Sequence, residues 1–241
     1  MAQEVFRRYE KKYKVTAEQY NELISRMITK MSADSYGKHT ICNIYFDTPD
    51  YQLIRTSLEK PVYKEKIRLR SYGVPSDDDM VYLELKKKYD GVVYKRRVPM
   101  KLGEARKYLY YGIKPERDSQ ILREIDYAYQ FYHAKPMVYL AYERIAFYAK
   151  ENPELRVTFD MNIRARDYNL DLSKGSNGTL LLDPQTLLME VKIPGAMPVW
   201  MSQLFSELKI YPVSYSKYGT YYKEYILPEQ MDHYKGGRIC A

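Results

Sequence analysis

The sequence predicts an α+β protein built on an antiparallel eight-stranded β-barrel with surrounding helices. Apolar and polar residues alternate with a period of two through most of the chain, the mark of strands. A few amphipathic stretches at helical spacing interrupt that period. Tyrosine is over-used, with 28 copies against 6 Phe and 1 Trp. A ring with one apolar flank and one wet end suits a half-buried sheet.

Each element has its own signal. Val5–Val15 reads as a strand with interleaved charges, and Thr16 as the N-cap of a helix over Ala17–Met31. Thr40–Phe46 is a strand, Asp47-Thr48-Pro49-Asp50 a turn, and Tyr51–Leu58 a short helix. Val62–Tyr72 is a strand and Gly73–Asp79 a polar loop. Val81–Lys88 and Val92–Met100 form a hairpin around Tyr89-Asp90-Gly91. Lys101–Tyr111 and Arg117–Tyr132 are helical and make an α insertion over about 101–132. Met137–Ala149 and Leu155–Arg164 return to strand character. Ser173–Gly178 is a loop, Leu180–Leu182 a short strand, and Leu187–Ile193 a strand ended by Pro194-Gly195. Val199–Leu208 is a helix, and Val213–Tyr222 holds the last ordered feature. One domain is expected over 1–228, followed by a flexible tail over 229–241.

With 241 residues and 45% hydrophobic content, the chain can bury one sizeable core. Its net charge of +8 points to anionic partners. Cys42 and Cys240 give neither a disulfide framework nor a metal signature. The N-terminus lacks an apolar signal segment, and no run approaches the length of a membrane helix. The expectation is a soluble, reduced, cytoplasmic protein. His39, His133 and His233 are the only histidines, each expected on the surface or in a loop. A Ser-His-Asp triad or a His-rich zinc site is thereby disfavoured.

The charges fall on particular faces. Lys64, Lys66, Arg68 and Arg70 share one face of a strand, and Tyr82, Glu84, Lys86 and Lys88 one face of the next. Glu10, Lys12 and Lys14 share a face with Arg8. Lys95 pairs with Arg97, Tyr142 with Arg144, and Glu190 with Lys192. Arg156, Thr158, Asp160, Asn162 and Arg164 share another. A solvated outer face is the plain reading, since most antiparallel sheets have one. The predominance of cations argues against it, because like charges destabilise neighbouring strands. A barrel with the cationic faces inward resolves this: its lumen would be wet and basic and would suit a multiply charged chain such as a triphosphate. The acids on those faces, Glu10, Glu84, Asp160 and Glu190, are hard oxygen ligands of the kind Mg²⁺ or Mn²⁺ prefers beside phosphate.

Several strings, in order, resemble the polyphosphate polymerase domain of the vacuolar transporter chaperone (VTC) family, part of the triphosphate tunnel metalloenzyme group. They are Arg8-Tyr9-Glu10-Lys11-Lys12-Tyr13, Ile44-Tyr45-Phe46-Asp47-Thr48-Pro49-Asp50, Lys66-Ile67-Arg68-Leu69-Arg70-Ser71-Tyr72-Gly73, Glu84-Leu85-Lys86, Tyr142-Glu143-Arg144, Met189-Glu190-Val191-Lys192 and Ser214-Tyr215-Ser216-Lys217-Tyr218. The resemblance implies a closed triphosphate tunnel fold and transfer of the ATP γ-phosphate to a growing polyphosphate chain with Mn²⁺ or Mg²⁺. It implies that Lys12, Arg68, Arg70, Lys86, Arg144 and Lys217 hold the reacting phosphates. Tyr142 and Ser216 would give hydrogen bonds and Glu190 would ligate the metal. Glu10, Lys66, Lys95, Arg97 and Lys192 would add to the tunnel wall, and Arg156 fits by face. ATP, triphosphate and polyphosphate are the implied partners; nucleic acid is not. Eukaryotic members add a phosphate-sensing domain and membrane helices, so export would need a membrane-protein partner.

Two features bear on that expectation. Tunnel triphosphatases carry Glu-x-Glu-x-Lys in the first strand, whereas Arg8 here gives Arg-x-Glu-x-Lys, which suits a polymerase better than a hydrolase. Ser216-Lys217 is also a plausible helix start. The alternatives are a triphosphatase on the same scaffold and a non-enzymatic polyanion binder. The Tyr108–Tyr111 and Tyr221–Tyr222 clusters read as packing, with adenine stacking as the other use.

Overall fold

The computed structural model describes residues 9–236, and from residue 232 onward the backbone alone. Arg8, Cys240, the His233 side chain and the first residues of the strand expected from Val5 lie outside the described residues.

In chain order the elements are β1 (Tyr9–Thr16), α1 (Ala17–Met27), β2 (Met31–Ala33), β3 (His39–Asp47), α2 (Gln52–Leu58), β4 (Tyr63–Tyr72), β5 (Met80–Tyr89) and β6 (Val92–Lys101). They continue with α3 (Leu102–Tyr111), α4 (Gln120–Phe131), β7 (Lys135–Ala149), β8 (Arg156–Arg166), β9 (Thr179–Leu180), β10 (Thr186–Ile193), α5 (Val199–Glu207) and α6 (Lys217–Tyr221). A π-helical turn over Tyr222–Ile226 leads into α7 (Leu227–Gly236). The stretch from Glu229, expected to be a loose tail, is thus helical as far as Gly236.

Eight antiparallel strands form one curled path in the order β1-β10-β8-β7-β3-β4-β5-β6, with β2 added to β7 and β9 to β8. The expected closure is not made by a ladder: among the described residues no strand pairing joins β1 to β6. Instead Pro212 bridges Tyr13 on the free edge of β1, and Val213 donates to the Lys12 carbonyl at 2.7 Å. That covers an edge that would otherwise invite pairing with another chain.

The period of two sorts the side chains as expected. On the convex side, Ile44, Phe46, Ile67, Leu69, Leu83 and Leu85 pack under α3 and α4. Tyr13, Val15, Phe159, Met189 and Val191 pack under α1 and α5. A third cluster lies on the concave side, where Ile41, Leu140, Ile163 and Leu188 meet Tyr218, Tyr221, Tyr222 and Ile226 of the C-terminal helices. The interior is therefore dry beside the C-terminal helices and charged in the cavity, because those helices fill part of what a simple barrel would leave to water.

Local chemistry explains the remaining details. Thr16 and Gln19 form a capping box at α1. The helix stops at Met27, short of the expected Met31, because Met31 enters β2 and pairs with Ala149 while its side chain stays in the same apolar cluster. Asp90 and Gly91 both have positive φ (43° and 81°), the conformation a two-residue hairpin turn needs. Asn162 also has positive φ (50°), and the β7–β8 register shifts opposite it. This bulge overturns the expected continuous face from Arg156 to Arg164. Arg164 turns toward the 173–178 loop, where its guanidinium donates to the Ser176 hydroxyl at 2.9 Å.

Candidate functional site

The concave faces of β1, β4, β5, β7 and β10 meet at a cavity of about 360 Å³. All the predicted site residues but two line it: Glu10 and Lys12 from β1, Lys66, Arg68 and Arg70 from β4, Lys86 from β5, Lys95 from β6, Tyr142 and Arg144 from β7, Glu190 and Lys192 from β10, and Ser216 and Lys217 at the start of α6. Nine cationic side chains thus face three carboxylates. Tyr45, Glu84, Val93 and Tyr218 complete the wall. The cavity runs on, past Lys12, Lys66 and Lys86, into a second of about 490 Å³ that adds Lys60, Lys64 and Lys88.

The two exceptions have clear reasons. Arg156 shares the expected face but is exposed at the first residue of β8, where its Nε donates to the Pro153 carbonyl at 3.3 Å. Arg97 lies just behind the wall, its Nε donating to Glu84 at 2.6 Å and its Nη2 to the Tyr72 hydroxyl at 3.1 Å.

Buried carboxylates divide the cations into two sets. Glu84, 1% exposed, holds Arg68 at 2.6 Å, Lys95 at 2.8 Å and Arg97 at 2.6 Å. Burial alone would raise its pKa, but Arg68, Arg70 and Lys95 hold it well below the usual carboxylate range. Asp160, fully buried, takes a two-pronged bond from Arg144 at 2.6 and 2.7 Å and another from Lys217 at 2.6 Å. These pairs build the wall. Arg70 instead donates to Asn43 Oδ1 at 2.9 Å and to the Tyr142 hydroxyl at 3.3 Å, and among the described residues no ion pair joins it to a carboxylate. Among the described residues Lys66 reaches only the Ser216 hydroxyl, at 3.5 Å, and Lys86 only Glu10, at 3.9 Å.

The charge imbalance shows in the titrations. Burial lowers the pKa of Lys66 to about 8, helped by Lys12, Lys86 and Lys64 and opposed by Tyr45. Tyr45 would be raised by burial, yet Arg68, Lys66 and Arg70 bring it down to about 8. Burial also brings Lys95 down to about 8 against the pull of Glu84. Burial lowers Lys192 as well. Burial would lower Lys217 too, but Asp160 and Glu190 hold it above the usual range; burial prevails only where carboxylates do not outweigh it.

Glu190 is held differently from Glu84 and Asp160. Its partners Lys217, Arg144 and Lys12 stand at 3.2, 3.6 and 3.7 Å. Glu10 is looser still, with Lys12 at 3.6 Å and Lys86 at 3.9 Å. Among the described residues there is no cluster of three or more His, Cys, Asp or Glu that could hold a metal alone. The donor set therefore fits a hard divalent cation that takes one or two protein carboxylates and fills its other positions with phosphate and water oxygens, the habit of Mg²⁺.

Ser216 starts α6, as the sequence allowed, and also borders the cavity. Its hydroxyl caps the helix by accepting from the Gly219 amide at 3.1 Å. Gly219 lets α6 pack closely on α2: a Cβ there would come within 2.8 Å of the Leu58 side chain, which would have to move. The Asp47-Thr48-Pro49-Asp50 turn starts α2. Buried Asp47 accepts from the Leu53 and Ile54 amides at 2.8 and 3.0 Å and from the Tyr218 hydroxyl at 2.9 Å. Tyr108 and Tyr221 are buried and serve as packing. Tyr45 and Tyr218 were not singled out as site residues: Tyr45 shares its face of β3 with Asn43 and Asp47 and carries no charge, Tyr218 lies among the tyrosines of α6, and only their place in the family strings pointed to them. His39 opens β3 and is partly exposed on the concave face, a surface position as expected, with its Nδ1 3.0 Å from the Gly37 carbonyl.

No helix among the described residues is long and apolar enough to cross a membrane. Comparison with solved structures finds a candidate adenylate cyclase from Bacillus halodurans (TM-score 0.56, 16% identity, 89% of this chain and 96% of that one). Another from Vibrio parahaemolyticus matches at TM-score 0.48 and 10% identity over 90% and 98% of the two chains. A Hippeastrum protein, described as a candidate adenylyl cyclase with a dominant triphosphatase activity, matches at TM-score 0.48 and 15% identity over 89% and 94%. The Bacillus protein shares the fold; at such identity the likeness goes no further. A comparison with curated proteins gives no match. The model of the VTC domain matches residues 7–225. With nearly the whole chain inside that match, the protein belongs to the VTC domain family.

Proposed function

We propose that this chain is a polyphosphate polymerase that transfers the γ-phosphoryl group of ATP to the end of an inorganic polyphosphate chain. The observation that carries this is the excess of cations over carboxylates in one cavity, with Arg70, Lys66 and Lys86 uncommitted to any tight ion pair.

In the reaction the bond between the γ-phosphorus and its bridging oxygen to the β-phosphate breaks, and ADP leaves. A terminal phosphate oxygen of the chain forms the new anhydride bond. That oxygen is already ionised near neutral pH, so no strong general base is required, in keeping with a histidine-free cavity wall. Phosphoryl transfer depends on alignment and charge stabilisation. Arg70 and Arg68 present forks to equatorial oxygens, while Lys66, Lys86 and Lys12 add point charge. Tyr142 and Ser216 offer hydroxyls. Glu84 and Asp160 keep the surrounding guanidinium groups fixed, so little reorganisation accompanies the charge shift. Glu190, with Glu10 beside it, would hold Mn²⁺ or Mg²⁺, and the bound metal would neutralise phosphate oxygens.

Glu10 favours a second reading. Loosely paired and with its side chain 32% exposed, it could orient water and make the enzyme a triphosphatase. Incubation with ATP and Mn²⁺ separates the two. A ladder of lengthening products on a gel supports the polymerase; orthophosphate alone overturns it in favour of hydrolysis. Tight binding without turnover would leave a polyanion binder.

A further inference from the structure

The concave face has different chemistry at its two ends. Along β4 it reads Lys64, Lys66, Arg68, Arg70, Tyr72, and along β5, in register, Lys88, Lys86, Glu84, Tyr82. One end opens on the lysines of the second cavity. The other ends in rings. Tyr72 and Tyr82 meet edge to face with centroids 5.7 Å apart, His39 lies 6.0 Å from Tyr72, and Tyr36 lies 6.3 Å from His39. The Arg97 guanidinium sits 4.4 Å from the Tyr82 centroid.

We propose that this row is a shelf for the nucleobase of a nucleoside triphosphate, whose phosphates lie in the adjoining cavity. The proposal rests on the phosphotransferase reading and extends it to how the donor is told from inorganic triphosphate.

Three features support it. The shelf adjoins the cavity, since Arg70 of the lining pairs with Tyr82 in the ladder and Arg97 links Tyr72 to Glu84 of the lining. It is accessible, with Tyr72 50% and Tyr36 78% exposed. It stands outside all three buried apolar clusters, so the core is complete without it. A bare polyphosphate needs cations throughout. The lysine end has one ring, Tyr215, lying 5.2 Å from the Lys14 ammonium; a row of four at the other end serves a ligand with a flat π-face there, and an arginine beside them adds cation–π attraction.

The test is equilibrium binding, in Mn²⁺, of the β,γ-imido analogue of ATP and the imido analogue of inorganic triphosphate. Tyr72→Leu is expected to weaken the nucleotide roughly tenfold, as loss of one stacked base would, and to leave the inorganic ligand unchanged. Tyr72→Phe should keep nucleotide affinity within about twofold. Tyr36→Leu, at the most exposed ring, repeats the test with the least risk to folding and should weaken the nucleotide alone. Unchanged nucleotide binding in both leucine variants overturns the shelf. So does equal loss of both ligands, which would make Tyr72 a support for Arg97. In either case the phosphate-site reading stands if the wild type binds inorganic triphosphate. A wild type that binds neither ligand removes both.

Discussion

Lys217, at the start of α6, lies 2.6 Å from the fully buried carboxylate of Asp160 on β8. The helix that follows the whole sheet is thereby pinned to its concave face. Arg144 completes the group through both carboxylate oxygens of Asp160.

Asp160→Asn would leave Arg144 and Lys217 buried with less compensation. It should destabilise the empty protein by about 3–5 kcal/mol, the usual cost of breaking a buried pair. Inorganic triphosphate should recover part of that loss by supplying the missing charge. Thermal melting with and without the ligand tests both statements.

Arg70→Met should lower turnover by roughly 100-fold or more, as removal of a charge-stabilising donor does, while stability falls by about 1–3 kcal/mol, the cost of leaving the buried Asn43 oxygen without its donor, and the protein stays folded. The reason is that Arg70 is bonded to Asn43 and Tyr142 and to no carboxylate among the described residues. Arg70→Lys should not restore the rate, because one point charge replaces a fork. Steady-state kinetics beside a melting curve would show the separation.

Glu190→Gln keeps the shape of the side chain and removes its charge. Turnover should fall and the Mn²⁺ concentration for half-maximal rate should rise, while metal-free triphosphate binding holds or tightens, since one repulsive charge has gone. A metal titration of the rate, paired with calorimetric binding, checks the split.

Stability and affinity should respond to alkaline pH in opposite directions. Lys66 and Lys95 fall to about 8 in the fold, chiefly through burial, and Tyr45 falls to about 8 under its cationic neighbours. Between pH 8 and 10 the unfolded chain therefore carries more protons than the fold, and the empty protein gains stability as pH rises. Triphosphate affinity should decline over the same interval as Lys66 and Lys95 lose charge. Melting temperature and dissociation constant measured across pH 7–10 would display the divergence.

Triphosphate should raise the melting temperature, since it binds only the folded state, and the rise should shrink in high salt. A scan at two ionic strengths is sufficient.

The inward charge was legible because a period of two puts Lys66, Arg68 and Arg70 on one side, and their common sign makes an outer face unfavourable. Which cations are committed was not legible. That Glu84 gathers Arg68, Lys95 and Arg97 depends on strand register, which the alternation does not fix. Asn162 was read in continuous alternation, and the bulge turned Arg164 away. Met31 fits helical spacing as well as it fits β2, since either places its side chain in one apolar cluster. Closure was expected from strand number, and number says nothing of whether the last strand finds the first.

The unpaired gap between β1 and β6 has a mechanical consequence. The hoop of strands is fastened in part by Glu10 and Lys86 at 3.9 Å and by the strap Pro212–Tyr215, which also delivers Ser216 and Lys217. The width of that seam is set by one long ion pair and a strap of irregular backbone, with no strand ladder among the described residues to fix it.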